Sequence, residues 1–109
     1  MIATVWRGWT NAADASRFRP ALDRDEVERL ERAGGNRGVV VLSRTLDDSV
    51  EFLVLSLWDS VADANAAVAC GAAVASPEAT ALLIRNDGTT YHECDVRGDL
   101  AFAAALLDA

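Results

Sequence analysis

The chain has 109 residues, 51% hydrophobic and 25% charged, which is the composition of one globular domain and excludes a disordered polar segment. Its net charge of −7, with the basic residues scattered, argues against nucleic acid and anionic membrane as main partners. Cys70 and Cys94 stand on separate elements, with neither a disulfide framework nor a Cys/His zinc spacing around them.

"IATVWRGWT" (2–10) is rich in β-branched and aromatic residues and reads as the first strand, entered directly from Met1. With no signal-peptide pattern, the expected compartment is a reducing cytoplasm. Asn11 and Asp14 suggest a capping box that opens a helix with Phe18, Leu22, Val27 and Leu30 on its apolar side. Pro20 is expected to kink or divide that helix, and Gly34-Gly35-Asn36 to end it. The acidic residues Asp23, Asp25, Glu26, Glu28 and Glu31, interleaved with arginines, read as a solvated helix face.

"GVVVLSRTL" (38–46) and "VEFLVLSLWDS" (50–60) form two further strands joined by the polar turn Asp47-Asp48-Ser49, hence a hairpin. Ser60 and Asp63 open an alanine-rich helix that weakens at Gly71 and restarts where Ser76 caps and Pro77 takes the first helical position. Leu82 and Leu83 are expected to face inward. Asn86-Asp87-Gly88 reads as a turn before a fourth strand, "TTYHECDV" (89–96). Residues 97–109 form a separate C-terminal extension, with a helix from Asp99 to Leu107 expected to pack on the assembly through Leu106 and Leu107.

The order β-α-β-β-α-β predicts an α+β, ferredoxin-like domain over residues 1–96: a four-stranded antiparallel sheet with helices on one face. The first and third strands are apolar on both faces, with Trp6 and Trp9 pointing oppositely. Two helices leave one face bare, and a second copy of the same sheet is the economical cover. A homodimer is therefore expected.

At this point the chain resembles a known family, the antibiotic biosynthesis monooxygenase domain of the dimeric α+β barrel superfamily. The resemblance rests on "VWRGWT", "GNRGVVVLSR", "EFLVLSLWDS", "SPEATALL" and "YHECDV", with Ser-Leu-Trp-Asp-Ser the most specific part. It implies a pocket in each subunit, between the helices and the sheet. Some relatives oxidise aromatic polyketide intermediates with O2 and neither metal nor flavin; others degrade heme. The family's tryptophan falls on Trp58 and its strand-one pocket position on Trp6, so both are expected to bind a flat aromatic substrate. Heme-degrading relatives carry an asparagine where Trp6 stands and a histidine in the second helix region. Here the single histidine is His92, on the fourth strand, so heme degradation is not expected. A second departure is "AVACGAAVAS", which lacks the aromatic-Ala-Gly segment and following acid found in relatives.

Each candidate also has a plainer role. Trp58 and Trp6 suit a core with the indole N–H satisfied. His92 is the one side chain whose ordinary pKa suits proton transfer near neutrality, and it also suits a strand packed at an interface. Arg7 and Tyr91 are candidates to steady developing negative charge, although Arg7 could pair with Glu93 or Asp95 instead. Cys70 lacks a neighbouring cation and reads as an inert buried thiol. No metal, flavin or heme motif is present, so no cofactor is expected. The leading expectation is cofactor-independent oxidation of a small aromatic molecule. The alternatives are a non-catalytic ligand-binding or dimerisation module and a non-redox cyclase or isomerase.

Overall fold

Strand β1 (Ile2–Asn11) lies inside a sheet of order β2-β3-β1-β4, formed with β2 (Asn36–Leu46), β3 (Ser49–Trp58) and β4 (Leu83–Glu93). The computed structural model describes residues 1–69 and 76–97, so the expectations for Cys70, Gly71 and the C-terminal helix lie outside it. All three pairings are antiparallel, as expected for the split βαβ arrangement. Helices α1 (Ala15–Leu22), α2 (Glu28–Arg32), α3 (Val61–Ala69) and α4 (Pro77–Ala81) fill the intervals. Among the described residues no helix is long and apolar enough to cross a membrane.

Register fixes which residues share a face. Thr4, Trp6 and Gly8 of β1 sit opposite Ser56, Val54 and Phe52 of β3, and all six are buried. Of these, Trp6, Phe52 and Val54, with Trp58, meet Phe18, Leu22, Leu30, Ala64, Ala67 and Ala79 from the helices in one hydrophobic core. Trp6 and Phe18 stack at 6.3 Å between centroids, and Phe18 tilts against Phe52 at 4.9 Å. A Cβ on Gly8 would lie 2.5 Å from the Trp6 ring, so the indole lies along its own strand over a residue with no side chain. The alternate residues Val5, Arg7, Trp9, Leu53, Leu55, Val40 and Leu42 take the opposite, outer face. Val40 and Leu42 are 42% and 49% exposed there.

Both edge strands are irregular in the same way. In β2, Asn36 pairs with Trp58 and Gly38 with Leu57, leaving Arg37 as an extra residue; in β4, Asn86 and Gly88 flank the extra Asp87. Each asparagine Oδ1 accepts the N–H of the following glycine, at 2.9 and 2.8 Å. Asn86-Asp87-Gly88 is therefore a bulge inside β4 rather than a turn before it, and the strand begins at Leu83. The reason is shared chemistry: an Asn side chain that closes on its own backbone, followed by a glycine at φ +75°, serves a bulge as well as a turn.

The helix starts differ from one another. Ser60 caps α3 as expected: its Oγ accepts the Asp63 N–H at 3.2 Å and donates to the Asp63 carboxylate at 2.9 Å. Ser76 caps α4 with Pro77 at the first helical position. Asn11 makes no side-chain cap; it ends β1, and a single 3-10 turn (Ala12–Asp14) precedes α1. Pro20 does not divide the helix either. The backbone stays helical from α1 through a π turn (Asp23–Val27) into α2, and the π turn is where the irregularity falls.

Candidate active site

Within the π turn, Glu26 points into the core and is only 1% exposed, which corrects its placement on a solvated face. The spacing explains how. Phe18, Leu22, Glu26 and Leu30 are four residues apart, and four residues overshoot a regular α-helical turn by roughly 40°. The wider π turn absorbs that drift and keeps all four side chains on the sheet side. The signal was present in the sequence, hidden by the neighbouring charges.

Glu26 opens into a small, partly open cavity of about 20 Å3, room for about one water, under the helix. Trp6, Thr4, Ser56 and Thr89 line its sheet side, and Arg29, Leu30 and Val68 its helix side. Arg29 reaches Glu26 Oε1 with Nη2 at 2.8 Å and the Ala67 carbonyl with Nη1 at 2.9 Å. Glu26 Oε2, Arg29 Nε and Ser56 Oγ are buried with no hydrogen-bond partner among the described residues. Loss of water raises the Glu26 carboxyl from the usual 4.5 to about 7, against the opposing pull of Arg29. These groups give the cavity a proton acceptor, a fixed cation and a hydroxyl around one small space.

Beyond Arg29 lies a second, open space of about 540 Å3 between the first helical segment and α3, floored by Ala66 and Ala67 and flanked by Arg24 and Arg32. Arg29 lines both spaces. Its side chain is the partition between them.

The residues singled out from sequence separate by face. Trp6 forms a wall of the cavity, and its indole N–H donates to Asn86 Oδ1 at 2.9 Å, so the β4 bulge fixes the ring. Trp58 is fully buried one step behind, donating to Thr4 Oγ1 at 3.0 Å. Tyr91 sits opposite Thr4 on the helix side but is exposed, outside the cavity lining. His92 sits opposite Ala3 and so takes the outer face, its Nε2 2.7 Å from Thr90 Oγ1. Arg7 is also on the outer face. It pairs with Glu51 at 3.8 Å rather than with Glu93 or Asp95, because β3 places a buried carboxylate beside it that Arg44 shares at 2.9 Å. The structure thus joins Trp6 to residues missed in the sequence (Glu26, Arg29, Ser56 and Asn86) and holds His92 and Arg7 on the other side. Among the described residues no three His, Cys, Asp or Glu side chains converge as metal ligands.

No protein-family model and no curated protein sequence matches the chain. Solved structures do match in fold. A provisionally named antibiotic biosynthesis monooxygenase from Deinococcus radiodurans aligns at 16% identity and TM-score 0.62, over 92% of this chain and 98% of that one. A provisionally named counterpart from Nitrosomonas europaea aligns at 15% and 0.64, over 88% and 100%. A variant of SnoaB, a cofactor-independent oxygenase from Streptomyces nogalater, aligns at 16% and 0.55, over 91% and 96%. The ferredoxin-like α+β fold is therefore shared with structures bearing the monooxygenase name.

Proposed function

We propose that this chain is a member of the antibiotic biosynthesis monooxygenase family that oxidises a flat aromatic molecule, of polyketide or quinone type, with O2 and no resident cofactor. The observation that carries the reading is the cavity between helix and sheet: an indole wall at Trp6, with Trp58 backing it through Thr4, facing a carboxyl and a guanidinium. A phenol or hydroquinone must lose a proton before it gives an electron to O2, and a dry carboxyl beside a cation suits that step. Shared fold with a named cofactor-independent oxygenase supports the class of chemistry. A second copy, stacked on the outer face where Val40 and Leu42 stand exposed, completes the proposed assembly.

The test is oxygen uptake by metal-free protein given anthrones and simple hydroquinones. Turnover above the uncatalysed rate is expected; its absence with every substrate would turn the reading toward a non-redox cyclase or isomerase, or a binding module. His92→Ala is expected to keep uptake within about threefold, because its ring faces away from the cavity. A loss of about a hundredfold or more, the size of a general base's contribution, would move the chemistry to the outer face.

A further inference from the structure

Arg29 is bonded on one side to a carboxylate inside the cavity and on the other to the carbonyl of Ala67 on α3. Its side chain is 28% exposed while that of Glu26 is 2% exposed, so it spans from the groove to the interior. The cavity at Glu26 is too small for an aromatic ring, whereas the groove beyond is within the size range of small-molecule pockets. Release of the Ala67 carbonyl by Arg29 would join the two spaces. The ring of a ligand could then lie in the groove with its polar end at Glu26 Oε2, the oxygen with no partner among the described residues.

We propose that Glu26 is the proton acceptor of this site and Arg29 its swinging gate and anion holder, serving a hydroxyaromatic (phenol-class) substrate that enters from the groove between the first helical segment and α3. This deepens the function proposed above and rests on it for the aromatic class of the ligand. The step is a proton transfer. The substrate O–H bond breaks, the proton moves to Glu26 Oε2, and the bonding pair stays on the substrate oxygen as a phenolate. Before the step the site holds one anion, Glu26, and one cation, Arg29; afterwards it holds the phenolate and Arg29. No net charge is created in a space shielded from bulk solvent, which is the arrangement that keeps such a transfer inexpensive. Thr4, Trp6, Ser56, Val68 and Thr89 face Glu26 from the sheet and α3, and none is charged, so among the described residues Arg29 sets the field at the carboxyl. Its raised pKa matches it to phenols that ionise near neutrality.

A nitrophenol ionising near neutral pH, added anaerobically to the full chain, reports the step by its phenolate absorbance without any oxidation. At a pH about one unit above the free dye's pKa, where the free dye is almost wholly phenolate, the pair should share one proton and roughly half of the bound dye should stay neutral, because acceptor and donor are matched to about a unit. Glu26→Gln should bind the dye wholly as phenolate, paired with the freed Arg29, and Arg29→Met, which keeps the stem and removes the charge, should bind it wholly neutral. Either variant suffices should the other not fold. Bound dye that is wholly phenolate or wholly neutral in the wild type, or a spectrum unchanged in a folded variant, would overturn the assignment. Oxygen uptake is read in a separate assay, so a dye that ionises beside an absent oxidase activity would sink the oxygenase reading alone.

Discussion

A carboxyl that keeps its proton to about pH 7 in the folded chain and to about 4.5 elsewhere makes stability depend on pH in an unusual direction. Between those values the folded state binds the extra proton, so stability is highest below pH 4.5 on this account and falls as pH rises through 7. The ceiling on the effect is on the order of 3 kcal/mol, or roughly 10–20 °C in Tm. Asp25 works oppositely, its pKa lowered by its hydrogen bond to Arg24, and matters only in more acid solution. Thermal melts from pH 5 to 8 should show a declining Tm for the wild type and a flatter line for Glu26→Gln, with the variant ahead at pH 8. A wild-type profile that rises through this window would contradict the buried placement of Glu26. The site was half legible at this scale. Trp6 could be picked out because a large aromatic at an inward strand position has few alternatives. Glu26 was hidden because in sequence an inward glutamate among Asp23, Asp25 and Glu28 looks the same as an outward one.

The elements were legible where local chemistry has a single outcome. Ser60 with Asp63, and Ser76 with Pro77, cap helices as their types dictate. They were ambiguous where one motif serves two geometries: Asn86-Asp87-Gly88 supports either a turn or a bulge, and long-range pairing of β4 with β1 decides for the bulge. That choice has a consequence for the site, since Asn86 Oδ1 holds both the Gly88 N–H and the Trp6 indole. Asn86→Ala should cost about 1–2 kcal/mol. It should also loosen the Trp6 ring, seen as a changed tryptophan near-UV signal. A variant as stable as wild type with an unaltered spectrum would show that the bulge does not position the indole.

For the whole molecule, the fold was readable because apolar bulk on both faces of β1 and β3 admits few architectures, and the described helices cover only one of those faces. The proposed cover for the other is a second copy, to which one chain's pattern points only indirectly. A second copy there should make a dimer at micromolar concentration by light scattering, and Leu42→Asp, on the exposed outer face, should shift it toward monomer by at least about tenfold in Kd. A wild-type chain that is a folded monomer at that concentration would remove the two-sheet assembly. The matched asparagine-glycine bulges bear on this as well. They sit on β2 and β4, the two outermost strands, so each rim of the sheet has an interrupted row of backbone donors and acceptors. An incoming strand would lose register at Arg37 on one rim and at Asp87 on the other, where it would also meet a charge. The sheet is thereby guarded against lateral growth into a fibril, and self-association is steered from its rims to its flat side.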